Sequence, residues 1–264
     1  MTDRRVTPDP AHVTLDITAQ ITVPVADLRQ SPAGPRDRQV LFGERINILG
    51  RMENHSLIRA QKDGYCGWVS DIALGSVHPV THRVTSRATH VYAEANFKSP
   101  DLMHVGFGAG LNVVAETATF VETPQGFVPR QHVRPAEARA TDPATIAELF
   151  LGVPYLWGGN AHLGIDCSGL VQAACLACGI ACPGDSDQQE KQLGVTLPPG
   201  SALQRNDVIF WKGHVALVLD KDTLIHANAG HMLVTTEPIT DALARIEMQG
   251  DGVPTEFKRL EVPT

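Results

Sequence analysis

The sequence predicts an α+β chain: two small all-β units, then a larger domain in which helices precede an antiparallel sheet. Three observations carry this. Between residues 14 and 136, apolar and polar residues alternate at period two in short runs cut by Pro and Gly. Between residues 141 and 180 the pattern turns helical, and from residue 206 onward the strand-like runs return.

The first unit, residues 14–77, contains TLDIT, AQITVPVADLR, RQVLFGERINILG, HSLIRAQ and YCGWVS. The second, residues 78–136, repeats the theme with HRVTSRATHVYAE, MHVGFGAGLNVVAET, ATFVET and GFVPRQHV. Both end on a Gly-aromatic-Val strand, Gly67-Trp68-Val69 and Gly126-Phe127-Val128, which points to an internal duplication with a period of about sixty residues. The third domain, residues 141–264, opens with TDPATIAELFLG. Thr141 or Asp142 caps a short helix there, Pro143 takes its first position and Gly152 stops it. A Gly-rich loop, PYLWGGN, leads to DCSGLVQAACLACGI, an apolar helix starting at Asp166-Cys167-Ser168. DVIFW, HVALVLD, TLIHANA and HMLVTTEPI follow as strands.

A chain of 264 residues suits two or three domains at roughly 100 to 200 residues each. With 43% hydrophobic and 19% charged residues, each part can bury a core. The net charge of −7 and the absence of any Lys/Arg run exclude a nucleic-acid partner. No stretch is apolar enough to span a membrane, and none near the N-terminus resembles a signal-peptide core, so the expected protein has no membrane partner and is cytoplasmic. Five cysteines, four of them crowded between Cys167 and Cys182, do not form a disulfide framework in such a setting. Cys175-x-x-Cys178 with Cys182 fits small residues of a packed helix better than a zinc site, and neither metal nor cofactor is expected. Oligomeric state is left open.

Cys167 carries the chemistry. At a loop-to-helix corner, unpaired N–H groups and the positive end of the helix dipole favour the thiolate. Reactivity also requires a basic partner, and His214 and His226 lie on consecutive predicted strands. Their parity depends on the hairpin. A three-residue loop, 220–222, pairs residues whose numbers sum to 442 and puts both histidines on one face, whereas a two-residue turn separates them. The odd-length loop is expected. His214 then accepts the thiol proton and His226 orients its ring. Trp157, in the Gly-rich loop, is expected to wall the cleft.

In the first unit VADLRQSP, LFGERINIL and DGYCGWV resemble the bacterial SH3 family, and the second unit is fainter. GVPYLWGGN, GIDCSGLVQ, RNDVIFW, GHVALVL and LIHA, in that order, resemble the NlpC/P60 cysteine peptidases over residues 141–238. That resemblance implies a papain-like NlpC/P60 catalytic domain preceded by two small SH3-like β-barrels, with Cys167 as nucleophile, His214 as base and His226 as third polar residue. It implies as partner a murein stem peptide, L-Ala-γ-D-Glu-diamino acid, cut at the γ-D-glutamyl bond. Whether the diamino acid is diaminopimelate or lysine stays open. In the branch with two SH3 units, similarity implies that Tyr155, Asp166, Ser168, Asp185 and Ser186 line the site and that Tyr65 reaches in from the first barrel. Asp185 and Tyr65 would hold the free ammonium of an N-terminal L-alanine, as suits an enzyme of wall-peptide recycling. Two positions depart from that branch: Gly184 stands where Arg is common, and Asn206 stands where Gly is usual.

The same Cys/His frame also suits an amidase or acyltransferase, and the β units alone suit a non-catalytic wall-binding module. The intact Cys167, His214 and His226 argue against the last.

Overall fold

A computed structural model describes residues 3–250 and 252–263 of the chain. Two compact units divide it, one ending at Ala138 and the other beginning at Arg139.

Within the first unit, β1 (Ile17–Ile21), β2 (Val25–Arg29), β3 (Arg36–Leu41), β4 (Arg45–Met52), β5 (His55–Ala60), β6 (Cys66–Ser70) and β7 (Leu74–Gly75) form one antiparallel sheet. Its order is β3-β2-β6-β5-β4-β1-β7. Alternation places Ile46 and Ile48 of β4 opposite Ala60 and Ile58 of β5. These side chains meet Leu28, Val40 and Val69 in the barrel core.

A second group follows: β8 (His82–Val84), β9 (Ala88–Tyr92), β10 (Asp101–Gly106), β11 (Gly110–Leu111), β12 (Ala115–Glu116), β13 (Phe120–Thr123), β14 (Gly126–Pro129) and β15 (Val133–Pro135). They form sheets ordered β10-β9-β14-β13-β12 and β11-β8-β15. The sequence repeat has a structural counterpart, because β6 and β14 each run into one turn of 3-10 helix and then a short strand. The two barrels share their packing. Phe42, from the turn after β3, is buried in the core of the second barrel with Val91, Val105 and Val128, and its carbonyl accepts the Gly110 N–H at 2.8 Å. Gly43 makes this approach possible: its φ is +80°, and a Cβ there would lie 2.1 Å from the Gly110 carbonyl oxygen.

The second unit contains α1 (Pro143–Glu148), a small hairpin of β16 (Asn160–Ala161) and β17 (Gly164–Ile165), α2 (Cys167–Ala177) and α3 (Ser186–Gln192). Then come β18 (Val195–Thr196), β19 (Asp207–Trp211), β20 (His214–Val218), β21 (Thr223–Asn228), β22 (Leu233–Pro238), α4 (Ile239–Gln249) and β23 (Glu256–Arg259). The antiparallel sheet is ordered β18-β23-β19-β20-β21-β22. Helix α2 packs against α1, β20 and β21. Ile239, Ala242 and Ile246 of α4 bury against Ile209, Trp211, Ala216, Val218 and Leu224 of the sheet.

Helices α3 and α4 and strand β23 are additions to the sequence reading. SDQQEKQ has no apolar stripe to announce a helix, and it is held by the buried Gln188 and Gln189. Helix α4 does have apolar residues at helical spacing, between Pro238 and a left-handed Gly250.

Candidate active site

Asp166 is the N-cap of α2, in extended backbone, and its carboxylate accepts the Gly169 N–H at 2.6 Å. It also accepts the Ser168 hydroxyl and the Gly158 N–H, each at 3.0 Å. Both residues are buried, so Asp166 and Ser168, expected to touch substrate, serve first to build the corner that carries Cys167. Gly169 allows that corner to form against the Gly-rich loop, since a Cβ would lie 2.4 Å from the Gly159 carbonyl oxygen. Cys167 is the first residue of α2 and is buried, and none of the five cysteines forms a disulfide. The Cys175/Cys178/Cys182 group is core: burial pushes the Cys178 thiol up to about 11.

Strands β20 and β21 pair Leu217 with Ile225 and Val218 with Leu224, the register of the three-residue loop. His214 and His226 therefore share a face, and His214 Nε2 lies 3.0 Å from His226 Nδ1. His214 is half-buried and His226 fully buried. Burial lowers the pKa of both rings well below the usual histidine value. At His214 the neighbouring His226 and Arg245 add to the effect and Glu237 opposes it; at His226 the additions come from Arg245 and His231. Both imidazoles are thus neutral bases near neutral pH.

The pair does not end at His226. Its Nε2 approaches Glu237 Oε2 of β22 to 3.2 Å, short of hydrogen-bond alignment. Arg245 of α4 grips both carboxylate oxygens, at 2.9 and 2.7 Å. Sequence reasoning missed Glu237 and Arg245, because the strand register and the docking of α4 bring them here. His226, His231 and Glu237 also bring possible ligand atoms within 4.8 Å of one another. The Arg245 fork already occupies that carboxylate.

Tyr155 lies beside Ile165 in a parallel bridge. Burial, then the negative charge available to Cys167 and Asp166, pushes its hydroxyl up, so it remains a proton donor. Asp185 occupies the N-cap position of α3 without using its side chain as a cap, and Ser186 opens the helix. Gln189 of α3 reaches back, donating to the carbonyls of Ser168 at 2.9 Å and Pro183 at 3.0 Å. No local pattern in SDQQEKQ signals that brace. Trp157 is 70% exposed on its loop. Tyr65 is 3% exposed and belongs to the apolar core of the first barrel.

Asn206 has a φ of +73°, the left-handed backbone its place in the turn demands. Its Oδ1 accepts the Ala144 N–H at 2.8 Å, adding a second acceptor to the Asp142 cap of α1.

Residues 152–248 match the NlpC/P60 family, and residues 28–74 match the bacterial dipeptidyl-peptidase SH3 domain. The chain is 27% identical to dipeptidyl-peptidase 6 of Lysinibacillus sphaericus over 73% of its own length and 80% of that protein. It is 28% identical to the gamma-D-glutamyl-L-lysine dipeptidyl-peptidase of Bacillus subtilis strain 168, over 72% of its own length and 71% of the relative. Among solved structures, an NlpC/P60 family protein from Bacillus cereus shares the fold with a TM-score of 0.77 and 19% identity, covering 94% of this chain and all of the other.

Proposed function

We propose that the chain, which carries an NlpC/P60 cysteine-peptidase domain behind a bacterial SH3 domain and acts as a cell-wall peptidase, hydrolyses the γ-D-glutamyl-diamino acid bond of murein stem peptides whose N-terminal L-alanine is free. One observation carries the reading: a His214–His226 pair, 3.0 Å apart, on strands against which the Cys167 helix packs.

In this reaction the Cys167 thiol gives its proton to His214 Nδ1, the ring nitrogen not engaged with His226, as sulfur attacks the γ-carbonyl carbon. Negative charge develops on the carbonyl oxygen, where N–H groups at the start of α2 and the Tyr155 hydroxyl stabilise it. The C–N bond breaks as His214 returns the proton to the leaving amine. Water then attacks the thioester, giving a proton to His214 and releasing the γ-glutamyl acid and the thiol. Asp185 holds the substrate ammonium by a charge-assisted hydrogen bond. A peptide with a free amine has already been cut from the wall, which fits a recycling role.

Incubation with L-Ala-γ-D-Glu-meso-diaminopimelate and its L-lysine counterpart, each with and without N-acetylation, tests this by mass spectrometry of the products. Cleavage confined to the free-amine peptides is expected. No cleavage of any peptide overturns the substrate assignment, and equal cleavage of acetylated forms removes the ammonium requirement.

A further inference from the structure

We propose that Glu237 is a positioning residue for the histidine pair: its carboxylate, clamped by Arg245, fixes the tautomer of His226 and, through it, that of His214. The assignment rests on the Cys167–His214 reading of the site but not on any particular peptide.

Two neutral imidazoles joined by one hydrogen bond can share their protons in two ways. If His226 carries its proton on Nδ1, it donates to His214 Nε2. The His214 proton then sits on Nδ1, and the base cannot accept from the thiol. If His226 carries its proton on Nε2, its Nδ1 lone pair accepts from His214 Nε2–H, and His214 Nδ1 is left basic. Only the second arrangement is productive. The carboxylate selects it. Glu237 Oε2, 3.2 Å from His226 Nε2, can only accept, so a proton on that nitrogen is favoured and a lone pair there would face negative charge in a buried site. Once His214 takes the thiol proton, the same carboxylate stabilises the imidazolium through His226, and the 3.2 Å contact has room to tighten.

Arg245 supplies the rigidity. Its fork holds Glu237 at 2.9 and 2.7 Å, and its Nη1 also donates to Gln249 at 2.9 Å. The charged and titratable groups facing His226 are His214 from β20, Glu237 from β22, His231 from the β21–β22 connection and Arg245 from α4. Arg245 and His231 oppose a positive charge on His226, and Glu237 is the group that favours one on His214.

The test compares the full-length protein with Glu237→Gln, Glu237→Asp and Arg245→Met. Alkylation of Cys167 by iodoacetamide is followed against pH by mass spectrometry of the Cys167 peptide, turnover is followed on the stem peptide, and imidazole tautomers are read by nitrogen-15 NMR. In Glu237→Gln the alkylation midpoint should rise by about one pH unit or more, a tenfold change in the thiolate equilibrium. Its kcat should fall at least about tenfold at unchanged KM, towards the ~10⁴-fold that a wrong tautomer costs in a Ser-His-Asp enzyme. Glu237→Asp should recover part of both effects, and Arg245→Met should fall between. The wild-type spectrum should show both rings protonated on Nε2. Wild-type alkylation and kcat in Glu237→Gln, or a wild-type His214 protonated on Nδ1, overturns the proposal. Failure of the wild-type enzyme to cut the peptide removes the substrate assignment alone, since alkylation and NMR decide the role of Glu237 without substrate.

Discussion

At the scale of single residues, His214 is the most direct probe of the chemistry. His214→Ala should lower kcat by ~10²–10⁴-fold, the usual contribution of a positioned base, while thermal melting shifts little because the side chain is only half-buried. Progress curves on the stem peptide together with a melting scan check both halves of that statement. The histidine pair also sets how stability depends on pH. Both folded-state pKa values lie below the unfolded value of about 6.5, so between the two the unfolded chain binds protons that the folded chain refuses. Stability should therefore be flat above about pH 6.5 and decline as pH falls below it. Urea midpoints at pH 7.5 and 5.5 measure this, and His226→Gln should show a shallower decline. The helix corner at Cys167 and the shared face of His214 and His226 were legible in the sequence because residue types and the hairpin parity restrict the options. Glu237 was not: nothing local distinguishes the Glu of TTEP from a solvated strand residue.

At the scale of elements, the Cys167 corner depends on how the start of α2 is held. Asp166→Ala leaves the buried Gly158 and Gly169 N–H groups without their acceptor and should cost about 2–4 kcal/mol, combining cap loss with unsatisfied donors. Urea unfolding gives the cost, and slower Cys167 alkylation reports the disturbed corner. Asn206 separates backbone from side-chain effects. Glycine keeps the left-handed φ but loses the Ala144 bond, about 1 kcal/mol. Alanine loses the bond and also strains the backbone, about 1–2 kcal/mol more. Stability should fall in the order Asn206, Gly, Ala, as urea midpoints would show. The starts of α1 and α2 could be read from Asp142-Pro143 and Asp166-Cys167-Ser168 because caps are local chemistry. Helix α3 could not, since its stability comes from Gln188 and Gln189 packing beneath it.

At the scale of the whole molecule, the two β-barrels pack as one body, and Phe42 is the link. Phe42→Ala should cost about 3–5 kcal/mol, as for a buried aromatic. Because Phe42 belongs to one barrel and fills the core of the other, calorimetry of the segment ending at Ala138 should show a single transition that moves to lower temperature in the variant. Two transitions with only one shifted would show that the barrels fold independently. The sequence repeat disclosed two similar units, but a turn residue of one buried in the core of the next leaves no periodic trace.

Taken alone, the sequence determined the α+β class, the order of the parts, the helix corner that bears the thiol and the face that the two histidines share. Each of these is written in local currency: period, cap, turn length and residue type. Tertiary structure decided which carboxylate and guanidinium stand behind His226, which glutamine braces the helix that opens with Cys167 and how the barrels interlock. Those partners are far apart along the chain or lie on separate elements, and only strand register and helix docking bring their atoms within bonding distance.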